Sequence, residues 1–123
     1  MTRPVNPDSP AVVVFVDPAY LDTALLTELL AGLEEEGVPA RVRPAAGSAV
    51  AMAHQAALES PLEVGLGLDR RGAMALHHRR TQPDRPLFAT GDSPVDGLVA
   101  RDLGVSAARL VKVQPLRFPS GER

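Results

Sequence analysis

Three consecutive carboxylates, Glu34, Glu35 and Glu36, stand just before Gly37, near the end of the leucine-rich stretch LDTALLTELLAGLEEEGVP that runs from Leu21 to Pro39. On a helix successive residues are turned by about 100°, so the three cannot all face one ion. One or two of them could still project from the helix end toward a cation or toward a basic patch on another protein. They also sit at the negative end of the helix dipole, where each costs on the order of 0.3–1 kcal/mol. Positions 30–32 hold no Lys or Arg to offset them. Breaches of a local rule concentrate at functional sites. The plain alternative is a solvated acidic terminus.

The other chemistry-bearing residues are less convergent. His54, His77 and His78 are the only histidines, and neighbours on a strand point to opposite faces, so His77 and His78 cannot chelate one metal without a local distortion. Surface or hydrogen-bonded histidines at a strand end are the simpler reading. Ser9, Ser48, Ser60, Ser93, Ser106 and Ser120 all lie in cap or loop contexts that backbone hydrogen bonding explains. Gly65-Leu66-Gly67 follows a hydrophobic run, but Arg70 holds the place of the third glycine in a dinucleotide fingerprint, and the segment leads toward a strand rather than a helix. No GxxxxGK[ST] loop is present, so any ATP that is used is bound by another subunit.

Composition narrows the field. The 123 residues suit one domain, and with one Tyr, three Phe and no Trp the core must be aliphatic. A net charge of −2 with dispersed arginines argues against nucleic acid as a partner. No cysteine is present, which excludes disulfides, thiol nucleophiles and Cys-ligated metals. MTRPVNPDSP lacks the apolar core of a signal peptide and no apolar run reaches transmembrane length, so a cytoplasmic protein without membrane contact is expected.

The elements that must position the acids follow in order. Residues 1–10 read as a disordered lead-in, and AVVVFVD at 11–17 as a strand covered on both faces. A helix is predicted from about Pro18 to Glu36, closed by Gly37 in the left-handed conformation, then a strand VPARVR at 38–43. Strand, helix and strand at this spacing make a βαβ unit. Ser48 caps a second helix, AVAMAHQAALE, which Glu59-Ser60-Pro61 terminates. LEVGLGL at 62–68 is a strand with Gly65 and Gly67 on one side of the pleat, where a neighbour comes close. A turn at 69–72 leads into an antiparallel strand at 73–77, and PLFAT at 86–90 forms a short fifth strand. Ser93 and Pro94 open a helix over Val95 to Leu103, interrupted at Gly104, with Ser106 capping a further turn or two. Gln114 to Arg123, rich in proline and polar residues, read as a surface tail.

Five blocks in this order carry a family resemblance: GLEEEGVPARVR at 32–43, SPLEVGLGLDR at 60–70, MALHHR at 74–79, PLF at 86–88 and AARLVK at 107–112. Over roughly residues 11–118 the chain resembles the small subunit of the diol/glycerol dehydratase reactivating factor and, more distantly, the medium subunit of the adenosylcobalamin-dependent dehydratases. The resemblance implies a single α/β domain of three layers, Rossmann-like, with a mostly parallel sheet of about five strands and helices packed on it, spanning 11–118 and followed by a tail at 119–123. It implies a non-catalytic subunit that binds no cofactor alone. Its partners would be a reactivase large subunit carrying ATP or ADP, in a heterotetramer-like complex, and a dehydratase client from which damaged cobalamin is released. Glu35 matches the family glutamate that ligates Mg2+ held by the large subunit, with Glu34 and Glu36 beside it in the partner contact. A propanediol-utilisation setting, including a bacterial microcompartment within the cytoplasm, goes with the same family. Two rival functions remain at this point: a medium-subunit component of the dehydratase itself, and a small-molecule binder at the carboxyl ends of the strands.

Overall fold

The computed structural model describes residues 10–91 and 95–113. The expected lead-in before residue 10, the cap assigned to Ser93 and Pro94, and the tail from Gln114 onward lie outside them. The middle strand of the parallel part of the sheet is β1 (Val12–Val16), a β-branched and aromatic run that is buried except for the half-buried Phe15. β2 (Ala40–Pro44) and β3 (Val64–Leu68) flank it in parallel. β4 (Met74–His78) joins β3 antiparallel, and the two-residue β5 (Phe88–Ala89) joins β4 antiparallel, giving the order β2-β1-β3-β4-β5. The α/β sheet of five strands is as expected, with its parallel part confined to β2-β1-β3.

α1 (Ala24–Glu35) and α3 (Gly97–Val113) lie on one face and α2 (Ala49–Glu59) on the other. Val12, Val14, Val16, Leu66, Leu68 and Leu76 point toward α1 and α3, where Leu26, Leu29, Leu33 and Leu103 complete an aliphatic core. The opposite face is thinner. A side chain at Gly65 would collide with the α2 backbone at Ala53 and Ala57, and one at Gly67 with Ala49 and Ala53, so the alanine-lined helix rests directly on the glycines.

The start of the first helix departs from expectation. Asp17 Oδ1 accepts a hydrogen bond from Ala19 N and closes a separate 3-10 turn at Pro18–Tyr20. Thr23 then caps α1 by accepting from Leu26 N, so the helix starts at Ala24 rather than near Pro18. Its end behaves as predicted. Gly37 has φ +75°, its N–H donates to Glu34 O, and the buried Val38 donates to Leu33 O, the Schellman pattern that satisfies the last carbonyls. Ser48 caps α2 as expected, its Oγ accepting from Ala51 N at 3.1 Å.

The predicted break at Gly104 is absent, because α3 runs unbroken from Gly97 to Val113, started by Asp96 accepting from Val99 N. Ser106 therefore sits inside the helix and caps nothing. Gly104 is needed for approach rather than for a stop. A Cβ there would strike Leu29 O on α1, and one on Gly32 would strike Arg101 O, so the two helices cross with backbone in contact. Pairs 28/101, 32/104 and 36/112 increase together, so α1 and α3 run parallel and their carboxyl ends share one side of the molecule.

Candidate interaction site

That parallel crossing decides the surroundings of the acidic tip. Glu35, the last residue of α1, places Oε2 2.7 Å from Arg101 Nη1. The same guanidinium has its Nε, which is buried, 3.2 Å from Glu28 Oε1. Glu36 meets Lys112 Nζ at 2.8 Å and Arg109 Nη2 at 3.6 Å. The hydrogen bond from Lys112 holds the Glu36 carboxyl below its ordinary value, with the charges of Lys112 and Arg109 adding to it against a smaller opposing effect of burial. Glu34 is exposed and rims a shallow groove of about 420 Å³ between the end of α1 and the edge strand β2, with Leu30, Val38, Ala40 and Val42 along it.

The local dipole argument is thus answered from within the chain. Arg101, Arg109 and Lys112 come from more than sixty residues downstream, and no rule of neighbouring positions reveals them. A signal did exist. Positions 101, 109 and 112 fall on one face of a continuous helix, and the break expected at Gly104 divided that face in two.

The histidines are held apart from the acids. His77 is buried on β4, its Nε2 3.1 Å from Pro83 O and its Nδ1 2.8 Å from Thr81 Oγ1. The Thr81 hydroxyl itself donates to His78 O at 2.9 Å, so both nitrogens of the buried His77 ring have polar partners within the loop that follows β4, matching the hydrogen-bonded reading. His54 on α2 packs edge to face on it at 4.8 Å, and burial, then the nearby His77, hold His54 below its ordinary value. His78 turns the other way, as strand alternation requires, with Nε2 3.8 Å from Glu63 Oε1. Glu63, also 3.8 Å from Arg80 Nε, has φ +66°, a left-handed residue that nothing in the sequence flagged.

Of the serines, Ser60 is buried and donates to Ala11 O at 2.6 Å, tying the end of α2 to the start of β1. At the carboxyl ends of β1 and β3, Asp17 N donates to Leu68 O, and Asp69 Oδ1 accepts from Arg71 N and Ala73 N. These aspartates serve turns. Among the described residues no group of three or more His, Asp or Glu could hold a metal ion, and no helix is long and apolar enough to cross a membrane.

Residues 9–117 match the family described as dehydratase medium subunit. The chain belongs to that family. A probable glycerol dehydratase-reactivating factor small subunit from Citrobacter freundii is 40% identical over 109 residues, covering 87% of this chain and 92% of the relative. Among solved structures, a glycerol dehydratase reactivase superposes with a TM-score of 0.79 at 38% identity, over 89% of this chain and 98% of that one. A diol dehydratase-reactivating factor complexed with ADP and Mg2+ superposes with a TM-score of 0.73 at 38% identity, over 89% and 99% of the two chains. Members of the dehydratase medium-subunit family therefore share this fold, and the resemblance found in the five sequence blocks extends through nearly all of it.

Proposed function

We propose that this chain is the small, non-catalytic subunit of an ATP-dependent, chaperone-like factor that reactivates adenosylcobalamin-dependent diol or glycerol dehydratase, freeing damaged cobalamin by subunit exchange. The observation that carries the reading is a match at both ends: the C. freundii reactivating-factor small subunit is covered over 92% of its own length at 40% identity. A large partner subunit binds and hydrolyses ATP, for which this sequence has no phosphate-cradling loop. The protein works in the cytoplasm, and its family domain is assigned to 11–118.

Glu35 is the residue we assign to Mg2+ at the contact with the large subunit, with Glu34 and Glu36 lining the same contact. Mg2+ takes hard oxygen ligands and is commonly held by one or two carboxylates with waters or phosphate. The Glu35 side chain is half exposed at the end of α1 and offers such a carboxylate, while the chain brings together no larger ligand set among its described residues. It can thus supply part of a coordination shell that the partner completes.

Co-purification with the large subunit and a reactivation assay on cobalamin-inactivated dehydratase test the proposal. Complex formation together with recovered activity is the expected result. The family description favours a second reading, a medium-subunit component of the dehydratase. Assembly with dehydratase large and small subunits, in place of the reactivase large subunit, would establish that one.

A further inference from the structure

Arg101 is built as a two-handed side chain. Its Nε end lies 3.2 Å from Glu28 and its Nη1 end 2.7 Å from Glu35, while its backbone is fixed at the glycine crossing of α1 and α3. Glu36 has cations of its own, Lys112 and Arg109, so among the described residues Arg101 is the cation that answers Glu35. A Mg2+ ion approaching that carboxylate must therefore compete with a guanidinium already hydrogen-bonded to it.

We propose that Arg101 is the resident counter-cation of Glu35, which occupies the carboxylate whenever the small subunit is free and so sets the Mg2+ concentration at which it joins the large subunit. The inference rests on the assignment of Glu35 as a Mg2+ ligand. Giving up Glu35 does not leave the arginine without a counter-charge, because Glu28 stays 3.2 Å from its Nε, which makes no hydrogen bond, and a third of the side chain reaches solvent. The exchange is consequently between two charge-compensated states: Glu35 on Arg101 in the free chain, or Glu35 on Mg2+ with Arg101 beside Glu28 in the complex. An assembly that must come apart and re-form gains from a contact whose separated half is already neutralised.

The experiment measures binding of the full chain to the large subunit by calorimetry across a Mg2+ titration. Exposed ion pairs are worth little, so Arg101→Gln is expected to lower the Mg2+ midpoint by about two- to fivefold. Arg101→Lys, which keeps the charge but loses the fork that reaches both acids, should fall between it and the parent chain. Lys112→Gln removes an equal charge beside Glu36 and is expected to shift the midpoint less. Thermal unfolding of each variant alone shows whether it is folded, and the lysine variant keeps the test open if the glutamine one is not. An unchanged midpoint in Arg101→Gln, or an equal shift in Lys112→Gln, overturns the inference. If Glu35→Gln leaves the Mg2+ dependence intact, the ligand assignment itself falls and the inference with it; loss of that dependence in Glu35→Gln with no effect of Arg101→Gln removes the inference alone.

Discussion

The two faces of the sheet meet their helices in different ways. Against α2 the contact is backbone on backbone, permitted by the missing side chains of Gly65 and Gly67. Against α1 and α3 a layer of leucine and valine intervenes, and the close glycine approach moves outward, to where Gly32 and Gly104 bring the two helices together. The thin face fixes position by leaving no room. The thick face supplies most of the large buried apolar side chains, and its outer seam carries the ion pairs of Glu35 and Glu36. The surface we propose for partner binding is thus mounted on the better-buried side of the domain.

Substitutions can separate these two modes of packing. The largest effect is expected on the thick face: Leu29 is fully buried, and Leu29→Ala should cost about 2–5 kcal/mol in urea unfolding through lost burial and the cavity left behind. Gly67→Ala on the thin face adds a single methyl group, yet it should cost about 1–3 kcal/mol because α2 must lift off the sheet. Near-neutral behaviour of that variant would mean that α2 rides loosely and that the contrast is false. Ser60→Ala removes the donor to Ala11 O in the same layer and should cost about 1–3 kcal/mol, read in the same unfolding experiment.

The smallest effect is a pH dependence confined to the thin face. His54 is held below its ordinary value of 6.5, so the unfolded chain takes up a proton before the folded one does. Stability should be flat above that value and fall as the pH drops below it, down to the lowered value of the folded state. His54→Gln should flatten this part of the profile in thermal unfolding. Glu36 acts in a separate window: its carboxyl is lowered from 4.5, so the contribution of its pairing is complete above 4.5 and is lost as the pH falls through the folded value.

What could be read without coordinates follows the range of the forces involved. Ser48 as a cap, Gly37 as a left-handed stop and the alternating Gly65 and Gly67 are local signals, and each stands where it was expected. Asp17 and Thr23 were also local, but two capping side chains in succession divide Pro18 to Glu36 into a 3-10 turn and a helix, which the leucine periodicity alone does not resolve. Gly104 misled for a physical reason. Its helix penalty of about 1 kcal/mol argues for a break, and only the tertiary contact with α1 explains why the helix continues. The candidate site was half legible: the acids were evident from their placement, whereas the arginines and lysine that neutralise them depend on that same continuous helix.

The central claim is that this chain docks on an ATP-binding large subunit through the acidic end of α1. Its most direct measurement is the affinity between the two purified subunits, in Mg2+ and in EDTA, for the parent chain and for Glu35→Gln. A complex that forms in Mg2+ and weakens both on chelation and in the variant is the predicted result. No association with the large subunit, combined with stable incorporation into a dehydratase, would contradict the account.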